Sequence, residues 1–233
     1  MNKLSLKGKK LIVLVLILAV PGLLYYLLTV KGKNRYKPLP IYGEKQVAKT
    51  GHKFHGKYIP DTIYHKLSDF KLTDQMGKPV SLSTFDNHIF VVSFFYTHCS
   101  AVCGEVNKNM ERLAWAYRKN RMVKFVTITV DPVHDNPSAL LRYAKTFKLP
   151  ADKWLFLTGD TTTIYNLTRN GFLVDAIKTG DEFIFSNKLI LIDADKRIRG
   201  NYNGTSLPEA IRLNDEIKVQ IAEELRKIKS PEL

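Results

Sequence analysis

The chain has 233 residues, 45% of them hydrophobic and 25% charged, which excludes a disordered or fibrous protein. A formal charge of +14 invites a nucleic-acid reading, but its distribution argues against one. Residues 1–37 hold eight basic side chains and no acid, so only +6 is left for the remaining 196 residues. An excess that brackets one segment points to membrane topology and lipid attraction, not to nucleic acid.

That segment is Leu11 to Val30, twenty uncharged residues rich in Leu, Val and Ile. At 1.5 Å per residue, ~20 residues of helix span a hydrocarbon core of about 30 Å. A cleaved signal peptide would have a shorter apolar stretch ending in small residues; here the run continues through Tyr25 and Tyr26 into Lys31. We therefore expect a basic N-terminus over 1–10, a transmembrane anchor over 11–30 and a basic linker over 31–60. Four basic residues on each side leave the orientation open. The linker, with Pro38, Pro40, Gly43, Gly51, Gly56 and Pro60 and no apolar period, reads as an extended spacer. Its His52 and His55 read as solvated side chains rather than metal ligands.

From residue 61 to 233 the pattern is that of one domain. Phe70 and Leu72 face Val80 and Leu82 across a Gly77 turn, which predicts a hairpin. Ile89–Tyr96 and Val123–Val130 are apolar, β-branched runs, as in strands buried on both faces. Between them, Val106, Met110, Leu113 and Tyr117 recur at helical spacing. Asn136-Pro137 signals a helix start, Trp154–Leu157 a short strand, and Asp160 caps a helix through Leu167. Leu189–Ile192 and Ile198–Tyr202 pair across the Asp193–Lys196 turn. Ser206-Leu-Pro-Glu209 then opens a helix to about Lys229. Strands alternating with helices predict an α/β fold, a central mixed sheet flanked by helices with extra β-hairpins.

The two cysteines, Cys99 and Cys103, lie where the strand Ile89–Tyr96 gives way to the helix beginning near Val102. At a helix start the free N–H groups stabilise a thiolate, so this is a place for reactive or metal-binding sulfur. A pair at this spacing can form a disulfide across the bend or hold Cu(I) between two thiolates. Asp131 and Asp135 suit Cu(I) poorly; we expect them to shape their loop, with Asp135 accepting N–H bonds near the helix start.

Phe94-Phe-Tyr-Thr-His-Cys-Ser-Ala-Val-Cys103 resembles the F-x-x-T-x-C-P-x-x-C segment of the Sco/SenC family. Thr127–Pro137 is similar to that family's strand followed by V-D-P-x-x-D-x-P, and Leu189–Gly200 to its late hairpin. The resemblance spans about residues 65–225. It implies a thioredoxin-like fold behind one N-terminal transmembrane helix, an extracytoplasmic (periplasmic) domain, and copper delivery or thiol-disulfide exchange. Its implied partner is a cytochrome c oxidase subunit or another thiol-containing client.

Two departures shape the expectation. The family's third copper ligand is a His just before an S-N-K or S-D-K run; here Phe185 precedes Ser186-Asn187-Lys188, and no His follows His134. Ser100 stands where the family has Pro. His134 and His98 are the candidates to substitute, and for both a solvated loop His is the simpler reading. Three functions follow: a Cu(I)-binding assembly factor using Cys99 and Cys103, a thiol-disulfide oxidoreductase using the same pair, and a paralogue that only binds a partner. The absence of C-x-x-C, and of a Pro just before Leu189, argues for a narrow client over general disulfide exchange.

Overall fold

The computed structural model describes residues 6–27, 38–54, 56–99, 101–179 and 182–229. The chain divides into two units, residues 1–37 and 38–233. In the first, helix α1 (Leu6–Tyr26) carries most of the apolar run, with Pro21 inside it. Among the described residues no helix is long and apolar enough to cross a membrane. α1 opens on Lys7, Lys9 and Lys10, and residues 28–30, the end of the apolar run, lie outside the described residues.

The second unit is built on a seven-stranded mixed sheet. Its strands are β3 (Lys71–Asp74), β4 (Pro79–Ser81), β5 (Ile89–Phe95), β6 (Val123–Thr129), β7 (Trp154–Thr158), β10 (Lys188–Ile192) and β11 (Ile198–Asn203). They lie in the order β11-β10-β5-β6-β7-β3-β4, with β5, β6 and β7 parallel and the remaining pairs antiparallel. All seven residues of β5 are buried, and strand alternation divides them between two cores. Phe90, Val92 and Phe94 enter one core with Ile164, Leu167 and Phe172, the last three from helix α4 (Thr161–Asn166) and the turn after it. Ile89, Val91 and Phe95 enter the other with Val106, Met110 and Leu113 of helix α2 (Ala101–Ala116). Leu140 of α3 (Pro137–Ala144) and Leu213 and Ile217 of α5 (Leu207–Lys229) complete it. A mixed sheet covered by helices on both faces is the thioredoxin-like arrangement that the resemblance implies.

Local signals act where expected. Gly77 adopts φ +77° in the β3–β4 turn, and Asp74 Oδ1 accepts from the N–H groups of Met76 and Lys78 at 2.8 Å each. Asn136 and Asp160 cap α3 and α4 by accepting from Ala139 N at 3.0 Å and Thr163 N at 2.9 Å.

Two hairpins depart from expectation. β1 (Lys45–Phe54) pairs with β2 (Lys57–Tyr64), so residues 45–64 are not an extended spacer. Nor are residues 39–42 a free tether. Arg199 donates to Leu39 O at 2.6 Å and to Pro40 O at 3.2 Å, Leu39 N donates to Glu223 at 2.7 Å, and Tyr42 bridges to Ile198. The second hairpin pairs β8 (Ala176–Thr179) with β9 (Glu182–Phe185), strands of four residues each for which the sequence analysis gave no element.

Candidate functional site

Parallel strands β5 and β6 end side by side, with Phe95 opposite Thr129, and the chain leaving β5 carries the cysteines. Cys99 N donates to Tyr96 O at 3.1 Å, a tight turn that stops the strand before α2 begins at Ala101. Cys103 is thus the third residue of α2, and Cys99 sits outside it. The pair therefore spans the junction of strand and helix. The Cα atoms are 5.9 Å apart and the sulfurs are joined as a disulfide. Cys103 is 3% exposed, within the α2-side core, whereas Cys99 is half-buried at its rim.

One carboxylate positions this junction. Asp135 is fully buried and accepts from Thr97 N at 3.0 Å, from the Thr97 hydroxyl, and from the Thr129 hydroxyl at 2.5 Å. It therefore ties the residue two before Cys99 to the end of β6. The expected role for Asp135, accepting N–H bonds at the helix start, is corrected: Asn136 caps α3, and Asp135 faces the cysteine loop. Thr129 serves twice, its hydroxyl oxygen also accepting from Asp131 N at 3.0 Å.

Beneath the junction, the Tyr143 ring of α3 packs tilted against Phe95 with centroids 5.1 Å apart, and its hydroxyl accepts from Asn107 Nδ2 at 2.7 Å. Burial raises the Tyr143 phenol above its ordinary value, partly offset by the Asn107 bond. Tyr165, whose hydroxyl donates to Val130 O at 3.3 Å, is raised likewise by burial. Both phenols are neutral at physiological pH.

Phe185, at the end of β9, lies edge-on to the Tyr96 ring at 5.8 Å, and Phe183 packs on the same ring at 5.0 Å. Phe185 also packs on the cluster that contains Cys103 and that Cys99 borders, so the β8–β9 hairpin brings residue 185 to the cysteine end of the sheet. Sequence reading missed Tyr96 as the rest on which the hairpin sits.

The two substitute histidines have other partners. The His134 ring is 61% exposed, with Nδ1 2.7 Å from Asp131 Oδ2. His98 is exposed, and its Nδ1 lies 3.3 Å from the Thr97 hydroxyl. Among the described residues, no group of three or more His, Cys, Asp or Glu side chains is placed to hold a metal ion. His52 pairs with Asp61 at 3.0 Å, and His55 lies outside the described residues. The donor set available at the junction is the cysteine pair, which once reduced suits a soft, two-coordinate ion such as Cu(I) and not a three-ligand site.

A family model described as SCO1/SenC matches residues 61–220. The SCO1 protein homolog of Bacillus subtilis is 28% identical over 153 residues, covering 64% of this chain and 79% of that protein. The solved structure of BsSco, described as having a disulfide switch and as a member of the Sco family of cytochrome c oxidase assembly proteins, aligns at 25% identity and TM-score 0.60. That alignment covers 67% of this chain and 93% of BsSco. Bradyrhizobium japonicum ScoI, solved with copper bound, aligns at 26% identity and TM-score 0.52, covering 64% and 97% of the two chains.

Proposed function

The chain belongs to the SCO1/SenC family, and from that premise we propose that it is an assembly factor that binds Cu(I) through Cys99 and Cys103 and serves the copper site of a cytochrome c oxidase. The observation that carries the reading is the cysteine pair itself: two sulfurs within bonding reach at a strand-to-helix junction, one half-exposed and one sheltered. Two-electron reduction by a dithiol donor opens the disulfide to two thiols. Cu(I) then displaces the two protons and is held as a bis-thiolate, cargo that a client with more ligands withdraws. Phe185, at the position where the resemblance expects imidazole, offers no donor, so Cu(II) is held poorly.

Anchoring belongs to this reading. Residues 11–30 cross the membrane, 1–10 stay in the cytoplasm and the domain lies on the periplasmic side; the uncharged run and the flanking lysines support this. A reporter fused after Leu233 and active only in the cytoplasm would sink that topology.

The disulfide favours a second reading, thiol-disulfide exchange with one client. The Cys99 thiolate attacks a client disulfide, a mixed Cys99–client disulfide forms, and the client's other sulfur leaves as thiolate. Cys103 then attacks the Cys99 sulfur, releasing the reduced client and restoring the Cys99–Cys103 bond. The exposure of the two sulfurs matches these roles.

Anaerobic titration of residues 38–233 with Cu(I), reduced and oxidised, separates the two. The assembly reading expects one Cu(I) per reduced domain, none after oxidation, and loss in Cys99→Ser. Phe185→His is expected to create a thiolate-to-Cu(II) charge-transfer band absent from the unsubstituted protein. No Cu(I) uptake, together with a client trapped by Cys103→Ser and not by Cys99→Ser, overturns the copper reading in favour of exchange.

A further inference from the structure

The β1–β2 hairpin contributes nothing to the cysteine site, and none of its described side chains is buried. A two-stranded hairpin without a buried face is marginal in water, so this one is built to meet something. Strand alternation sorts its residues. Cross-strand register puts Lys45 with Tyr64, Val47 with Thr62, Gly51 with Pro60 and Lys53 with Tyr58 on one face. That face has no acid. Val47 is 77% exposed and Tyr58 59%, and the Lys45 ammonium lies 5.8 Å from the Tyr64 ring centroid. Tyr58 closes over Gly51, where a Cβ would come within 2.5 Å of the ring. The hairpin's one carboxylate, Asp61, is on the opposite face and is held by His52 at 3.0 Å. Lys49 lies in the irregular stretch between Val47 and Gly51.

Lysines on aliphatic stems, tyrosine rings and no acid on one face match the headgroup layer of an anionic bilayer. There the rings sit at headgroup depth and the ammonium groups reach phosphate. The hairpin begins fifteen residues after Val30, a reach of at most about 50 Å. We propose that the Lys45–Lys53–Tyr58–Tyr64 face of the hairpin docks on an anionic lipid surface, a proposal that builds on the anchoring of residues 11–30.

The test uses residues 38–233, which lack the apolar run, so its failure is separate from failure of the anchor. Residues 38–233 form a compact unit with its own cores, and the stretch matched to the solved relatives accounts for nearly all of their chains. Co-sedimentation is measured with phosphatidylcholine vesicles with and without phosphatidylglycerol. The domain is expected to bind only the anionic vesicles and to release as salt rises. Lys45→Glu with Lys53→Glu is expected to weaken binding at least ~tenfold, and the corresponding pair of Gln substitutions less, in the same direction. The charge-matched pair Lys108→Glu with Lys119→Glu, exposed residues elsewhere on the domain, is expected to change it by less than about threefold. No binding to anionic vesicles overturns the proposal, as do equal losses in both charge-matched pairs or equally tight binding to duplex DNA. Alkaline extraction of the full chain from membranes tests the anchor independently.

Discussion

Asp193 and Asp135 are both fully buried carboxylates, placed at opposite ends of the sheet, and they are compensated in opposite ways. Asp193 follows β10 and is met by Arg197 Nε at 2.8 Å and Arg199 Nη1 at 3.0 Å; Arg199 goes on to Glu223 at 2.8 Å and to the carbonyls of Leu39 and Pro40. Charge answers charge, and the chain's point of arrival is fixed. Asp135, at the cysteine end, is held by a backbone N–H and two hydroxyl groups, and among the described residues no Lys or Arg pairs with it. The first arrangement is a frame. The second fixes a loop without a cation as its partner, and the start of α2 stabilises a Cys99 thiolate by about 1 kcal/mol.

Of the two ends, Arg199→Ala is expected to be the more damaging change. It takes one of two guanidinium partners from buried Asp193, the charge partner from half-buried Glu223 and the donor from the carbonyls of Leu39 and Pro40, and urea unfolding of residues 38–233 is expected to show a loss of about 3–5 kcal/mol. Asp135→Ala removes an acceptor from three donors and is expected to cost about 1–3 kcal/mol. The same change removes a negative charge from the cysteine end, so in the reduced protein Cys99 is expected to alkylate faster at pH 7. Equal stability losses at the two ends, with unchanged alkylation, would erase the distinction between frame and clamp.

A third measurement acts on neither end. Burial holds the Tyr117 phenol protonated up to about 12, and burial with a hydrogen bond to Glu216 raises Tyr202 further. In the unfolded chain both titrate near 10. The unfolded state therefore loses its protons first: the contribution is fully present below pH ~10 and is lost as pH rises through 10 to about 12. Tyr202→Phe is expected to flatten that fall, whereas Asp135→Ala shifts the whole curve and leaves its alkaline slope alone. The smallest effect is expected from Asp215→Asn, whose partner Lys218 is 56% exposed; its unfolding midpoint stays within measurement scatter.

The core strands were legible because β5, β6 and β10 are buried on both faces and so read as continuous apolar runs. The helix caps were legible because Asn136 and Asp160 act within three residues of themselves. What escaped reading depends on partners far along the chain. Asp135 finds Thr97 across 38 residues, and Arg199 finds Leu39 across 160. The β1–β2 hairpin escaped for another reason: with no buried face it has no apolar alternation to read. At the cysteines the strand-to-helix junction was legible, and the structure adds the seating of Phe185 on Tyr96.

Gly204 lies between the two parts of the site. Its N–H donates to Asn187 O at 2.9 Å, two residues after Phe185, and its carbonyl accepts from Asn109 of α2 at 2.8 Å. A Cβ there would fall 2.5 Å from Asn187 O and 3.0 Å from Val106, less than one turn beyond Cys103. The missing methyl group thus acts as a shim, setting the gap between the helix that carries one sulfur and the loop that carries residue 185. Tuning by evolution or design has a handle here that touches no ligand: a side chain at 204 wedges the loop away from the cysteines, and any donor placed at 185 moves with it.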